Sequence, residues 1–180
     1  LEVLILCGSS RPDSSTHRAL EVAAEGIVEA GGVPVWADPW MANLPVLGTE
    51  GGHHSAVAEH LRAARRARGF LWGTPEYHGT CSGMLKNALD YLSRENTEGK
   101  WAALVATSGG RQGAVGTLIT LRMVARSLHI WTLPGDVSLA ASAETWDQDG
   151  NLSDQEMARR LRRLGSDLVD ALRLFDHPRV

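Results

Sequence analysis

The residues VLILCGSSRPDSSTHRAL, Val3–Leu20, set the reading of the whole chain. Five apolar residues, Val3-Leu4-Ile5-Leu6-Cys7, stop at Gly8. A continuous apolar run that short, bounded by a turn residue, reads as a strand buried on both faces. A loop crowded with hydroxyls follows, holding Ser9, Ser10, Arg11, Ser14, Ser15 and Thr16. A helix begins straight after it, with Leu20, Ala24, Ile27 and Val28 at helical spacing and Gly31-Gly32 as its stop. Strand, polar loop and helix together make half of a βαβ unit.

The alternation runs on to the far end. Val33–Ala37 reads as a second strand, and Asp38–Gly52, with two prolines and three glycines, as a long loop. Val57, Leu61 and Ala64 mark a second helix; Arg68–Trp72 is a third strand ending at GTPEYHG. Met84, Leu85, Ala88, Leu89 and Leu92 mark a third helix, and Trp101–Ala106 a fourth strand ending at TSGGRQG. Leu118, Leu121, Ala125 and Leu128 mark a fourth helix, His129–Leu133 a fifth strand, and Met157, Leu161, Leu164, Leu168 and Leu172 a closing helix. Five βα units predict an α/β fold: a doubly wound, five-stranded parallel sheet in the order 2-1-3-4-5, with helices on both faces. At 180 residues, one domain over 1–180 is expected.

Composition narrows the function classes. The net charge of −3 gives no basic field for nucleic acid. The arginines of Arg159–Leu164 have acidic neighbours and read as a solvated helix face. No apolar run reaches the ~18 residues of a membrane span, so no membrane partner is expected. Two cysteines, Cys7 and Cys81, make no disulfide scaffold, which points to a reducing, cytoplasmic setting. His53-His54 lacks a third ligand at metal spacing. Asp147, Asp149 and Asn151 echo a calcium loop, yet its sixth and twelfth places hold Leu152 and Ala158. No metal is expected.

In doubly wound sheets, ligands sit beyond the carboxyl ends of the strands where the strand order reverses. That rule selects three loops. The first precedes a helix N-terminus, whose free N–H groups and dipole attract anions; its hydroxyls and the Arg11 fork favour phosphate. The plainer alternative is an elaborate N-cap built on Asp13 or Ser14. There is no G-x-G-x-x-G for a dinucleotide and no G-K-[ST] for a P-loop. Arg11 lies four residues after Cys7, where a thiol-phosphatase loop needs six. A terminal phosphate monoester remains. The second loop, TPEYHGTCSG, offers exposed backbone and the rigid face of Tyr77 to a planar heterocycle. In the third, TSGGRQGAVG, glycines allow close approach, and Arg111 with the following helix start favours negative charge.

With those loops in place, the chain resembles the NADPH-dependent FMN reductases. GSSRPDSSTHRAL is similar to their G-S-x-R-x-x-S loop, TPEYHGTCSGMLKNALDYLS to their T-P-E-Y-N-G-S-x-P-G-x-L-K-N-A-I-D-W-L-S stretch, and SGGRQGAVGTLITLRMV to their glycine-rich third loop. The resemblance implies a flavodoxin-like fold, FMN as cofactor and NADPH or NADH as hydride donor. It implies that Ser9, Arg11, Ser14, Ser15 (through its backbone N–H) and Thr16 hold the FMN phosphate. Pro75, Glu76, Tyr77 and His78 would line the isoalloxazine ring, and Ser108, Gly109, Gly110 and Arg111 its other edge or the pyridine nucleotide. Hydride would pass from nicotinamide to flavin N5, with Arg111 beside the charge that develops on the ring. Electrons would then go to a small-molecule acceptor: a quinone, an azo compound, a metal oxyanion or free flavin. A homodimer or dimer of dimers is implied as well. Two residues depart from the pattern: His78 stands for asparagine, and Ser82 for proline, which predicts a looser turn. An electron carrier and a non-catalytic FMN-binding module are the alternatives.

Overall fold

The structure is a computed structural model and describes residues 1–49 and 54–175. Its elements run β1 (Glu2–Cys7), α1 (Ser15–Glu29), β2 (Val33–Trp36), α2 (Asp38–Met41), α3 (Ser55–Arg66), β3 (Gly69–Tyr77), β4 (Thr80–Cys81), α4 (Gly83–Asp90), α5 (Arg94–Thr97), β5 (Trp101–Thr107), α6 (Val115–Ser127), β6 (Trp131–Thr132), β7 (Val137–Leu139) and α7 (Gln155–Leu174). The main sheet is parallel, ordered β2-β1-β3-β5, with β6 and β7 both pairing with the free edge of β5. β6 pairs with Trp101 and Ala102, and β7 with Val105–Thr107. Taken as one interrupted strand, they restore the doubly wound order 2-1-3-4-5.

Alternation along each central strand fills two cores. Val3, Ile5, Cys7, Leu71, Ala103 and Val105 face α1 and α7, while Leu4, Leu6, Phe70, Trp72, Leu104 and Ala106 face α3, α4 and α6. Both faces are therefore covered, as a parallel sheet requires. Each large side chain so buried contributes about 1.5–3 kcal/mol. On the first face, α1 and α7 meet backbone to backbone. A Cβ on Gly26 would lie 1.9 Å from the Arg162 carbonyl oxygen, and one on Gly165 would lie 2.0 Å from that of Ala23.

Several boundaries differ from expectation, each for a local reason. The fifth strand is not His129–Leu133: it pairs only over Trp131–Thr132, breaks at Pro134-Gly135 and resumes as β7. Proline has no N–H to give the ladder. Arg122 braces the break by donating to the Leu133 and Pro134 carbonyls and to Asp136 Oδ2. β3 runs past Trp72 to Tyr77 and turns back as a hairpin with β4. Val28 is 58% exposed, because the buried stripe of α1 runs through Ile27 instead. The loop from Asp38 contains one helical turn, α2, and its final stretch, with His53, lies outside the described residues. His54 caps α3, its Nδ1 accepting from Ala56 N–H. Asp147 Oδ1 accepts from the Asp149 and Asn151 N–H groups, an ordinary polar turn. Among the described residues no helix is long and apolar enough to cross a membrane, and no group of three or more His, Cys, Asp or Glu is placed to hold a metal.

His60 sits fully buried on α3, its Nε2 2.8 Å from the Ala88 carbonyl, with no partner for Nδ1. Burial pushes its pKa below the ordinary 6.5, and the Ala88 bond opposes this only in part. The unfolded chain therefore binds this proton more readily than the native one. The contribution is intact above 6.5 and is lost as pH falls through the lowered native value. Urea unfolding from pH 7.5 down to 5 is expected to show stability dropping on acidification, with a shallower drop for His60→Gln. Parallel slopes for the two proteins would contradict this.

Candidate active site

Parallel pairing brings the carboxyl ends of β1, β3, β5 and β7 to one edge of the sheet, so the loops that follow them are neighbours. In the first loop, Ser14 is the N-cap of α1: its buried Oγ accepts from His17 N–H at 3.1 Å. The N-cap reading thus holds for Ser14. Its hydroxyl hydrogen is still available to a ligand, since a capping serine accepts through oxygen. Two other hydroxyls turn inward. Ser15 Oγ donates to the Ser142 carbonyl at 2.8 Å, and Thr16 Oγ1 pairs with Thr107 Oγ1 at 2.7 Å in the interior. The Thr16 hydroxyl bridges two loops, so what Thr16 presents at the loop is its backbone N–H. At the first two helical positions, the N–H groups of Ser15 and Thr16 have no acceptor within the helix. Ser9 Oγ accepts from Arg11 N–H at 3.4 Å, which curls the loop. The Arg11 guanidinium is exposed and has no protein partner among the described residues.

The first turn of α1 is also held from the side. His17 Nε2 lies 3.0 Å from Asp38 Oδ2, and its ring stacks on Trp36 with centroids 4.7 Å apart. Burial pushes the Asp38 carboxyl above its ordinary range, and His17 beside it works against that shift. Cys7, under the loop, is pushed up to about 12 by burial, so it stays a thiol and is no nucleophile.

The second loop is a β-hairpin. Glu76 pairs with Cys81 and Tyr77 with Thr80, leaving His78-Gly79 as a two-residue turn with φ of 53° and 83°. Two consecutive positive φ values define a type I′ turn, which favours Asn-Gly. Histidine is among the residues enriched in that region, so His78 fits the place of asparagine on conformational grounds. Tyr77 and His78 are exposed, while Pro75 and Glu76 are half-buried. Glu76 Oε2 accepts from the buried Thr117 hydroxyl at 2.8 Å, clamping the hairpin to the first turn of α6.

Ser82 does not loosen the turn, contrary to expectation. It is the N-cap of α4, accepting from Leu85 N–H at 3.2 Å, and its Oγ donates to the Gly8 carbonyl at 2.6 Å. Its own N–H reaches Thr74 Oγ1 at 2.9 Å. A proline at this position would lack both the hydroxyl and the N–H.

In the third loop, Ser108 Oγ donates to the Gly110 carbonyl at 2.9 Å, leaving Gly109 and Gly110 exposed with open space at their Cβ positions. Arg111 is exposed and, like Arg11, has no protein partner among the described residues. Sequence reasoning missed the wall behind the loop, Ser138–Ser142. Ser108 N–H donates to the Leu139 carbonyl, Ser142 N–H to the Ser108 carbonyl, Ala141 N–H to the Gly110 carbonyl and Ala114 N–H to Ser138 Oγ. The signal was the run of small residues after Leu139, at the end of a strand too short to stand out.

The loops thus form one cradle. Free helix N–H groups and Arg11 stand at one end, and exposed Tyr77, the bare Gly109-Gly110 backbone and Arg111 at the other. That donor set fits a phosphate joined to a planar heterocycle. The model of the NADPH-dependent FMN reductase family matches residues 1–145. The chain belongs to the NADPH-dependent FMN reductase family. The reductase is 31% identical to the NAD(P)H-dependent FMN reductase PA1204 of Pseudomonas aeruginosa, over 97% of this chain and 95% of that one. It is also 31% identical to probable NADPH:quinone oxidoreductase 1 of Oryza sativa, over 91% of this chain and 88% of that one. In fold it resembles FerB, a flavoenzyme NAD(P)H:(acceptor) oxidoreductase from Paracoccus denitrificans, with a TM-score of 0.79, 24% identity and coverage of 96% and 97% of the two chains. The reductase is an oxidoreductase that takes FMN and NAD(P)H.

Gly8 is where the first two loops touch. A Cβ there would lie 2.7 Å from Ser82 Oγ, 3.0 Å from Leu85 Cβ and 3.1 Å from the Gly73 carbonyl oxygen. Gly8→Ala is expected to cost about 1–3 kcal/mol, the usual cost of overpacking, and to weaken FMN binding. Urea unfolding and a flavin fluorescence titration measure the two effects; wild-type values in both would contradict the close contact.

Proposed function

We propose that the reductase uses its three-loop cradle to hold FMN and to pass electrons from NADPH or NADH to a small organic or inorganic acceptor. The observation that carries this reading is that Arg11 and Arg111, both exposed and without a protein partner among the described residues, lie with exposed Tyr77 on loops at one strand-end edge of the sheet. FMN, when bound, supplies the hydride-accepting ring and the onward electron transfer.

The chain's own groups bind and orient. Ser9, Arg11, the Ser14 hydroxyl and the Ser15 and Thr16 N–H groups hold the phosphate. Pro75, Glu76, Tyr77 and His78 present a rigid platform to the ring; Glu76 acts through Thr117, which fixes the platform's height above α6. Ser108, Gly109 and Gly110 would offer backbone to the ring or to the pyridine nucleotide, and Arg111 would supply positive charge to a ring that gains electrons. Exposed Tyr77 would leave room for nicotinamide and for the acceptor beside a bound flavin. Quinones, azo compounds and free flavin suit the exposed aromatic face of Tyr77, and metal oxyanions suit the positive charge of Arg111; the rice quinone oxidoreductase supports the first of these. The whole chain, 1–180, acts as one domain, in the cytoplasm, and as a homodimer or dimer of dimers. Two buried free thiols suit a reducing compartment.

Protein reconstituted with FMN is expected to lose its flavin absorbance anaerobically on adding NADPH or NADH, and to recover it on adding a quinone. A spectrum unchanged by both nucleotides would overturn the reading. Arg11→Ala is expected to weaken FMN binding by about 1.5–3 kcal/mol, the range for a charge-assisted hydrogen bond; identical titration curves would remove Arg11 from the site.

A further inference from the structure

The amino end of the sheet, away from the cradle, carries a cavity of its own. It measures about 540 Å³ and is lined by Glu98, Arg122, Arg126, His129, Ile130 and Trp131. These residues come from the α5–β5 turn, the end of α6 and the start of β6. β5 begins at Trp101, paired with Trp131, and ends at Thr107, where the third loop starts. At ~3.3 Å per residue the cavity and the cradle are ~20 Å apart.

The acidic groups around this cavity are already engaged. Glu98 accepts from Arg94 at 2.6 Å, and Asp136 from Arg122 at 2.8 Å. The carbonyls at the end of α6 are engaged too: Ala125 accepts from Ile130 N–H and His129 from Gly99 N–H. The Arg126 guanidinium and the His129 imidazole are exposed and have no protein partner among the described residues. Trp131 is 63% exposed, with the Trp101 ring 6.3 Å away between centroids. His129 is held at φ 58°, the left-handed place just past α6 that glycine fills at least cost. A histidine kept there gives up stability for its side chain.

We infer that this cavity is a second ligand site, separate from the cradle, and that it takes a planar aromatic carboxylate. Arg126 holds the carboxylate, His129 adds a second donor, and Trp131 stacks on the ring. The chemistry of the lining selects that class. A guanidinium fork matches the two oxygens of a carboxylate. Imidazole carries an N–H in either protonation state. An exposed indole face takes a flat ring. A phosphate would favour the free N–H groups of a helix N-terminus, whereas only the carboxyl ends of α5 and α6 reach this cavity. The volume falls in the range of small-molecule sites, about 300–1,000 Å³.

Titration calorimetry of the FMN-loaded full chain with naphthoate tests the site. Naphthoate is expected to bind once per chain. The uncharged naphthalenemethanol is expected to bind about 10-fold or more weaker, for want of a charge-assisted bond. Arg126→Ala, an exposed position, is expected to weaken naphthoate by a similar factor and to leave reduction of the flavin by NADPH unchanged. Trp131→Ala is expected to weaken both ligands, and Arg111→Ala, in the cradle, neither. His129→Gly is expected to raise the urea midpoint while lowering naphthoate affinity, a pairing that a merely structural histidine would not give. No saturable binding, equal affinity for the acid and the alcohol, or a wild-type affinity in both Arg126→Ala and His129→Gly would each overturn the site. So would loss of naphthoate binding in Arg111→Ala, which would put the anion in the cradle. Binding that depends on Arg126 in a chain unable to reduce FMN upholds this site and counts only against the reaction.

Discussion

Ser82 Oγ donates to the Gly8 carbonyl at 2.6 Å while accepting from Leu85 N–H, and both bonds are buried. One hydroxyl therefore caps α4, ends the β3–β4 hairpin and fixes the first strand-end loop relative to the second. Thr16 with Thr107, Ser15 with Ser142, and Glu76 with Thr117 repeat the device between other pairs of loops. A buried polar group left without a partner costs roughly 1–3 kcal/mol, so these bridges hold the loops to one arrangement. The parallel sheet brings the loops to one edge; the bridges set the distances across it.

That arrangement divides the labour of the polar residues. Hydroxyls facing the interior hold the cradle's shape, while guanidiniums and backbone N–H groups facing outward remain for a ligand. A serine-rich strand-end loop thus does two jobs at once, and only the structure separates them. Cys7, which a motif search would single out, is kept as a thiol by its burial beneath the loop. The hairpin tip keeps its shape by conformation: His78 and Gly79 both take positive φ, and histidine accepts the strain that asparagine would accept more easily.

Much of this was legible in the sequence because periodicity reports burial directly. The strands at Val3–Cys7 and Trp101–Ala106, the helix at Met157–Leu172 and the sheet order all follow from apolar spacing, and the three loops follow from where those elements end. What was not legible depends on contacts distant in sequence. Nothing near Ser82 announces that its hydroxyl will meet Gly8. Nothing near Pro134 announces that the edge strand will resume at Val137 and carry the wall Ser138–Ser142. The strand at Gly69–Tyr77 was cut short because a proline and a charged residue interrupt its apolar run, although the hairpin supplies the pairing that makes it a strand.

The central claim is that the first loop anchors a terminal phosphate and the other two receive the ring it carries. Comparing FMN with riboflavin, which lacks the phosphate, by quenching of flavin fluorescence tests that division most directly. Loss of two or more charge-assisted bonds, at about 1.5–3 kcal/mol each, predicts that FMN binds at least about 100-fold more tightly, each factor of ten being 1.4 kcal/mol. Riboflavin is expected to keep weak affinity through Tyr77 and the Gly109-Gly110 backbone. Equal affinities for the two flavins would contradict the account.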